Sequence, residues 1–309
     1  WYGTGAGDLF ATKDGGATWQ KIASRPGTFV RAVGFVDRQN GFIGNIGTDY
    51  YPGVTAETPL YRTRDGGVTW EAVDTGDATI KGVCAIDILP VKRIYQGELR
   101  PRTIIHAAGR VGGPTGMLRS VDGGETWSVI DMTVHAGMIL DVKFFDENTG
   151  LVFAATNSDP VQAEGLVLRT EDGGKTWKML DATTKGLPKG PWGRIEVVHA
   201  PSMPNRVYAV IEHAKTALYV SEDGGKSWEA RDSSRNMVWR PFYFQKLVVD
   251  PTNADRVFKM NLRVIVSDNA GKSFSDTAGG SHADWHDVWV NPKNPKHLSG
   301  ADDGGMWIS

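Results

Sequence analysis

Apolar and polar residues alternate in short runs along the whole chain, and no ten-residue stretch carries the three-to-four spacing of an amphipathic helix. Runs such as 30–37 (VRAVGFVD), 207–211 (VYAVI) and 246–251 (KLVVDP) are rich in β-branched and aromatic residues and are bounded by Gly, Pro, Asn and Asp. They read as strands of five to seven residues joined by tight turns. Shorter runs, 60–62 (LYR) and 218–220 (LYV), each lead into one recurring eight-residue string. That string appears intact at 12–19 (TKDGGATW), 63–70 (TRDGGVTW), 120–127 (SVDGGETW), 170–177 (TEDGGKTW) and 221–228 (SEDGGKSW), and in degraded form at 267–274 (SDNAGKSF). The Ser/Thr positions 12, 63, 120, 170, 221 and 267 are separated by 51, 57, 50, 51 and 46 residues, the length of one four-stranded antiparallel unit per repeat. The pattern predicts an all-β fold, a β-propeller of four-stranded blades, with strands A to D numbered outward and the string between C and D.

The string resembles the Asp box of the bacterial neuraminidase repeat, and five intact copies extend the resemblance along nearly the whole chain. Its chemistry is local. The Asp carboxylate accepts backbone N–H bonds across the C–D turn, the glycines permit positive φ, and the Trp fills the gap between sheets. Asp14, Trp19, Asp65, Trp70, Asp122, Trp127, Asp172, Trp177, Asp223, Trp228, Asn269 and Phe274 are therefore expected to be structural. The true sialidases of this superfamily carry an Arg-Ile-Pro motif before the first box; here Arg25-Pro26 follows it, and the sialidase reading fails at that point.

The A–B turns come in two styles. Residues 37–41 (DRQNG) and 146–150 (DENTG), with 108–113 (AGRVGG), resemble photosystem II stability/assembly-factor propellers. Residues 201–207 (PSMPNRV), 251–257 (PTNADRV) and 292–298 (PKNPKHL) resemble sortilin-type and xyloglucanase-like glycosyl hydrolase propellers. The change of style falls near 185–191 (KGLPKGP), read as an inter-blade loop, so that residues 1–309 are expected to form a single domain. Residues 298–309 align with residues 1–12, sharing Gly3/Gly300 and Gly7/Gly304, so the chain holds six periods plus a short overlap. Seven blades are expected, the first without strand A and the last without its box and strand D, with six blades as the alternative.

Composition refines this picture. With 38 Gly and 15 Pro among 309 residues the chain is turn-rich, and five of its 11 Trp are accounted for by the boxes. The 34 Lys+Arg and 36 Asp+Glu nearly balance, which leaves no basic field to hold nucleic acid. No apolar run approaches the roughly 18 residues of a membrane span. Cys84, the single cysteine, lies in an apolar run and is expected to be a buried small hydrophobe. The chain opens on Trp1 without a signal-like segment; any targeting peptide is expected to have been removed or left out, and the protein to be exported to the periplasm or the extracellular space. No phosphate loop, Ser-His-Asp signature or Cys/His zinc spacing occurs, so no cofactor is implied.

In propellers the D–A and B–C loops gather ligands. The residues at those positions are Arg31, Asp49, Tyr50, Arg110, Asp141, Asn157, Arg194, Glu212, His213, Arg240, Tyr243, Gln245, Arg263, His282, Asp284, His286, Asp302 and Asp303. The densest segment is 282–287 (HADWHD). If extended, it places His282, Asp284 and His286 on one face, where two imidazoles and a carboxylate suit a divalent metal, an acid/base relay or a structural polar network. Asp141 and Glu212 join them as carboxylates for the pair that glycosidic cleavage requires. The arginines, with Tyr50, Tyr243, Gln245, Asp302 and Asp303, are the candidate ligand contacts. Trp192, Trp239, Trp285, Trp289 and Trp307 are free either to stack on sugar rings or to pack between blades. The loop 47–53 (GTDYYPG) is long and aromatic and is a further candidate contact. Two functions remain open: a propeller that binds or cleaves a polysaccharide, and a non-catalytic scaffold for a protein partner.

Overall fold

The structure, a computed structural model, describes the chain except residues 15, 50, 77–78, 96–97, 110–112, 160, 240–245 and 278–281, and except the side chains of 93–100 and 238. Two compact units are present, Trp1–Met179 and Leu180–Ser309.

In the first unit the strands are β1 (Tyr2–Gly3), β2 (Asp8–Ala11), β3 (Gln20–Ser24), β4 (Val30–Phe35), β5 (Gly41–Asn45), β6 (Leu60–Thr63), β7 (Glu71–Ala72), β8 (Ala85–Tyr95), β9 (Glu98–Gly109), β10 (Gly116–Ser120), β11 (Ser128–Asp131), β12 (Met138–Phe144), β13 (Gly150–Ala155) and β14 (Gly165–Thr170), with β15 (Lys178–Leu180) at its boundary. The second holds β16 (Ile195–Ala200), β17 (Met203–Ile211), β18 (Ala217–Ser221), β19 (Glu229–Asp232), the one-turn α1 (Arg235–Val238), β20 (Leu247–Asp250), β21 (Asn253–Met260), β22 (Val264–Ser267), β23 (Ser275–Asp276), β24 (Trp285–Val290), β25 (Leu298–Asp302) and β26 (Gly305–Ile308). Among the described residues these strands form seven antiparallel sheets in chain order, the blades of a seven-bladed β-propeller. Five sheets have four strands; β1-β2-β3 and β24-β25-β26 have three. The alternative of six blades is thereby overturned.

The boxes explain why each C–D turn closes as it does. The Ser/Thr hydroxyl that opens each box accepts the N–H four residues on, at 2.8–2.9 Å in all six copies. The Asp carboxylate accepts the N–H of the following Thr/Ser at 2.9–3.0 Å and, through its other oxygen, the hydroxyl proton at 2.5–2.6 Å. In the sixth copy Asn269 keeps the geometry and reverses one polarity: its Nδ2 donates to Ser273 Oγ at 2.7 Å. The box also seats the preceding sheet. At Gly124 (φ +91°) a Cβ would lie 2.2 Å from Phe42 of β5, so the position needs glycine for conformation and for space.

The ring of the box points back onto the preceding sheet. Trp70 packs against the core shared by the first and second sheets, Trp127 meets Phe42 edge-on at 5.6 Å, Trp177 joins the core shared by the third and fourth sheets, and Phe274 joins that of the fifth and sixth. Arg62 adds a polar tie: its buried guanidinium donates to the Gly124 carbonyl and to Glu125 in the next box. Trp19 is more exposed and meets Tyr2 edge-on. Cys84 is buried.

One pair of strands exceeds the expected length. β8 and β9 stay in register from Ala85↔Ala108 to Tyr95↔Glu98, well past the five to seven residues read from the sequence. Inside this sheet His106 is fully buried, stacked flat on Phe144 at 3.6 Å, and neither ring nitrogen has a hydrogen-bond partner among the described residues. Asp87, opposite it in register, is tied to Lys143 at 2.5 Å and accepts the Phe144 N–H.

Candidate functional site

The second unit places several loop candidates around one turn. Asn261, between β21 and β22, holds two neighbouring segments. Its Nδ2 donates to the Trp239 carbonyl just after α1, and its own carbonyl accepts the Trp285 N–H at 2.9 Å. The Leu262 carbonyl accepts the Asp284 N–H at 3.3 Å, and Asn261 Oδ1 caps the Leu262 N–H. A polar side chain in so buried a turn is used up by these bonds, which set the walls of the pocket beside it.

That pocket has a volume of about 440 Å³ and is lined by Asn236, Trp239, Asn261, Leu262, Arg263, Ile265, Phe274, Asp276 and Ala283. Trp239 is 40 % exposed and carries the Arg235 guanidinium over its ring at 4.4 Å. Arg263 pairs with Asp276 at 2.6 Å. The pocket thus combines a partly exposed indole, planar amide and guanidinium groups, and apolar side chains. Phe274 forms part of the wall at the box position where the five intact copies carry Trp.

The segment 282–287 flanks this pocket through Ala283 but does not present the expected single face. Asp284 has φ +66°, β24 begins only at Trp285, and a bulge between Trp285 and Asp287 makes His286 the extra residue. A bulge re-aims the side chain it carries. His286 Nε2 lies 2.7 Å from Asp303 Oδ1, both side chains near half exposed, whereas His282 Nδ1 lies 3.0 Å from the Ala283 carbonyl and its Cβ packs against Gly304. Asp302 turns back into its own hairpin, accepting the Gly304 and Gly305 N–H groups at 2.8 and 3.0 Å. Desolvation pushes its pKa up, but the Trp307 indole, these two N–H groups and the nearby His282 outweigh that and hold it below the ordinary carboxylate value. Among the described residues no group of three or more His, Cys, Asp or Glu is placed to hold a metal ion.

The remaining candidates are dispersed. Glu212 uses Oε2 to accept the Arg194 N–H at 2.8 Å and pairs by backbone with Gly193 and Arg194, closing the start of β16. His213 Nδ1 accepts the Lys215 N–H. In the first unit Arg31 is exposed at a bulge in β4, Asp141 is exposed beside a bulge in β12 and accepts its neighbour's N–H, Asn157 caps Asp159, and Asp49 sits at φ +71°. Tyr50, Arg110, Arg240, Tyr243 and Gln245 lie outside the described residues. Trp192 and Trp285 are buried and pack, which leaves Trp239, Trp289 and Trp307 as the exposed indoles of that set.

Sequence reasoning passed over Asn236, Asn261 and Asp276. Two signals pointed to Asp276 and Asn236, and none to Asn261: the sixth box alone departs from its pattern, and residues 233–246 between β19 and β20 follow no strand pattern.

Fold, repeats and loops define an Asp-box β-propeller. The BNR/Asp-box repeat model matches residues 219–230. A xyloglucanase from Paenibacillus sp is 36 % identical over 91 residues, 24 % of this chain and 9 % of that protein, so this chain spans about a tenth of its length. Among solved structures, YCF48 bound to D1 peptide superposes with a TM-score of 0.55 at 18 % identity, over 92 % of this chain and 78 % of that one. An ancestral GH74 enzyme gives a TM-score of 0.61 at 15 % identity, over 94 % of this chain and 39 % of that one. Both resemblances read from the turn styles, to assembly-factor and to xyloglucanase-type propellers, are met. Among the described residues no helix is long and apolar enough to cross a membrane.

Proposed function

We propose that the chain is an exported carbohydrate-binding propeller whose site is the pocket at Trp239, flanked through Ala283 by the segment that carries His282, Asp284 and His286. The single observation that carries this reading is the pocket's make-up. The partly exposed indole offers, on the face that Arg235 does not cover, a stacking surface for the C–H face of a sugar ring, and Asn236, Arg263 and Asp276 offer planar partners for its hydroxyls. The similarity to a xyloglucanase over 91 residues supports the same ligand class. Binding is favoured over cleavage, because Glu212 and Asp302 are engaged by backbone N–H groups of their own loops and a hydrolase needs two carboxylates facing the bond.

The test is a panel of soluble polysaccharides measured by calorimetry and for reducing-end release, with wild type, Trp239→Ala, Asp284→Asn and His286→Ala. Binding without product, lost in Trp239→Ala, is the expected result. Product formation that disappears in Asp284→Asn would make the protein a hydrolase. A second reading, a protein-binding scaffold, is favoured by the likeness to a propeller solved with a bound peptide. Failure of every polysaccharide to bind would put that reading ahead.

A further inference from the structure

We infer that the Trp239 pocket selects carboxylated sugars, the uronates, over neutral ones, an inference that rests on reading this pocket as a carbohydrate site. The argument is one of charge and donor geometry. One guanidinium lines the pocket and a second lies against one of its lining side chains. Arg235 lies over the Trp239 ring, and Arg263 lines the wall. Among the described residues Asp276 is the one acidic side chain of the lining. The Arg263 side chain is 71 % exposed, and its contact with Asp276 runs through Nη1 alone. A guanidinium carries five N–H donors in a planar fork, so the remaining edge matches a second carboxylate bidentately. Uronates carry that group as a substituent of the ring that stacks on the indole. A neutral hexose presents a hydroxymethyl group there, which satisfies one donor and no charge.

The departure of the sixth box fits the same picture. Phe274 stands where the intact boxes place an indole, and the smaller ring leaves room beside Ile265 and Leu262 for a ligand against this wall. Asp276, two residues further on, holds the Arg263 fork at the pocket and competes with an incoming carboxylate. Removing that competitor is therefore expected to strengthen uronate binding, a direction that a purely structural role for the pair would not produce.

The experiment uses trisaccharides of galacturonic, glucuronic and mannuronic acid, each beside its carboxyl-reduced neutral counterpart, titrated into the full chain by calorimetry. The expected result is at least tenfold tighter binding of one uronate than of its reduced partner. That preference disappears in Arg263→Gln and grows severalfold in Asp276→Asn. Phe274→Trp, which restores the residue of the intact boxes, narrows the pocket and weakens both members, while its thermal melt stays that of a folded protein. Equal affinity of acid and neutral partners overturns the inference and leaves the carbohydrate reading in place. If no member of any pair binds, while the folded variants melt normally, both fall.

Discussion

Replacing His106 by Phe isolates one buried group and gives a pH signature that can be worked out from the structure. The imidazole is fully buried, its ring lies on Phe144, and neither nitrogen is hydrogen-bonded to any described residue. Burial first, then the positive charges of Arg119 and Lys143, push its pKa down to about 3 from an ordinary value of 6.5. The sign follows from linkage. Between those two values the unfolded chain binds a proton that the folded chain refuses, so stability falls as pH falls from about 6.5. At pH 7.5 the effect is near zero. At pH 5 it reaches about 2 kcal/mol, since RT ln(1 + 10^(6.5−pH)) governs it as long as the folded value lies well below 5. Phe keeps the stack and removes the titration. Urea unfolding of wild type and His106→Phe should therefore give curves whose separation grows in favour of the variant by about 2 kcal/mol between pH 7.5 and pH 5. Parallel pH profiles for the two proteins would refute the reasoning, because they would mean that the imidazole finds a proton acceptor or water in the folded state.

Arg62→Ala should destabilise the first unit by about 1–3 kcal/mol in the same assay, since it strips a buried Gly124 carbonyl of its donor, whereas the exposed Arg64→Ala should stay within about 0.5 kcal/mol. Lys259 is fully buried on β21 and desolvation pushes its pKa down to about 8, so the folded state loses stability as pH falls from about 10.5 to 8. Lys259→Met should melt higher than wild type at pH 7, with the gap closing above pH 10.5. The box carboxylates act in the opposite sense. Bonds from the following Thr hydroxyl and N–H hold Asp65 and Asp172 at about 2, so their stabilisation is present above pH 4 and lost as pH falls through 2. Asp172→Asn should fold, as Asn269 does in the sixth box, and should blunt the acid limb of the stability profile. Asp172→Ala should lose stability at every pH.

The blades were legible because each repeat carries its own instructions. The box closes its turn with bonds between residues four apart, and these need no knowledge of the rest of the molecule. The alternation that ends in LYR or LYV sets a strand face for the same reason. The segment 282–287 misled because alternation assumes an extended chain. Asp284 adopts positive φ where its N–H reaches the Leu262 carbonyl, and a bulge then takes His286 out of step. His106 was invisible for a related reason: it follows Ile104 and Ile105 in a strand whose burial on both faces comes only from neighbouring sheets.

By itself, then, the amino-acid sequence determined the strand class, the repeat length, the seven blade phases and the turn chemistry, all of which depend on contacts within about ten residues. Only the tertiary structure decided the pocket. Trp239, Asn261, Arg263, Phe274 and Ala283 come from a connector, a turn, a degraded box and a second connector, and Asn261 brings them together with bonds that span about twenty residues on either side. No periodicity encodes such a meeting. It arises because buried N–H and C=O groups at the end of a sheet must find partners, and here the nearest ones belong to the neighbouring loops.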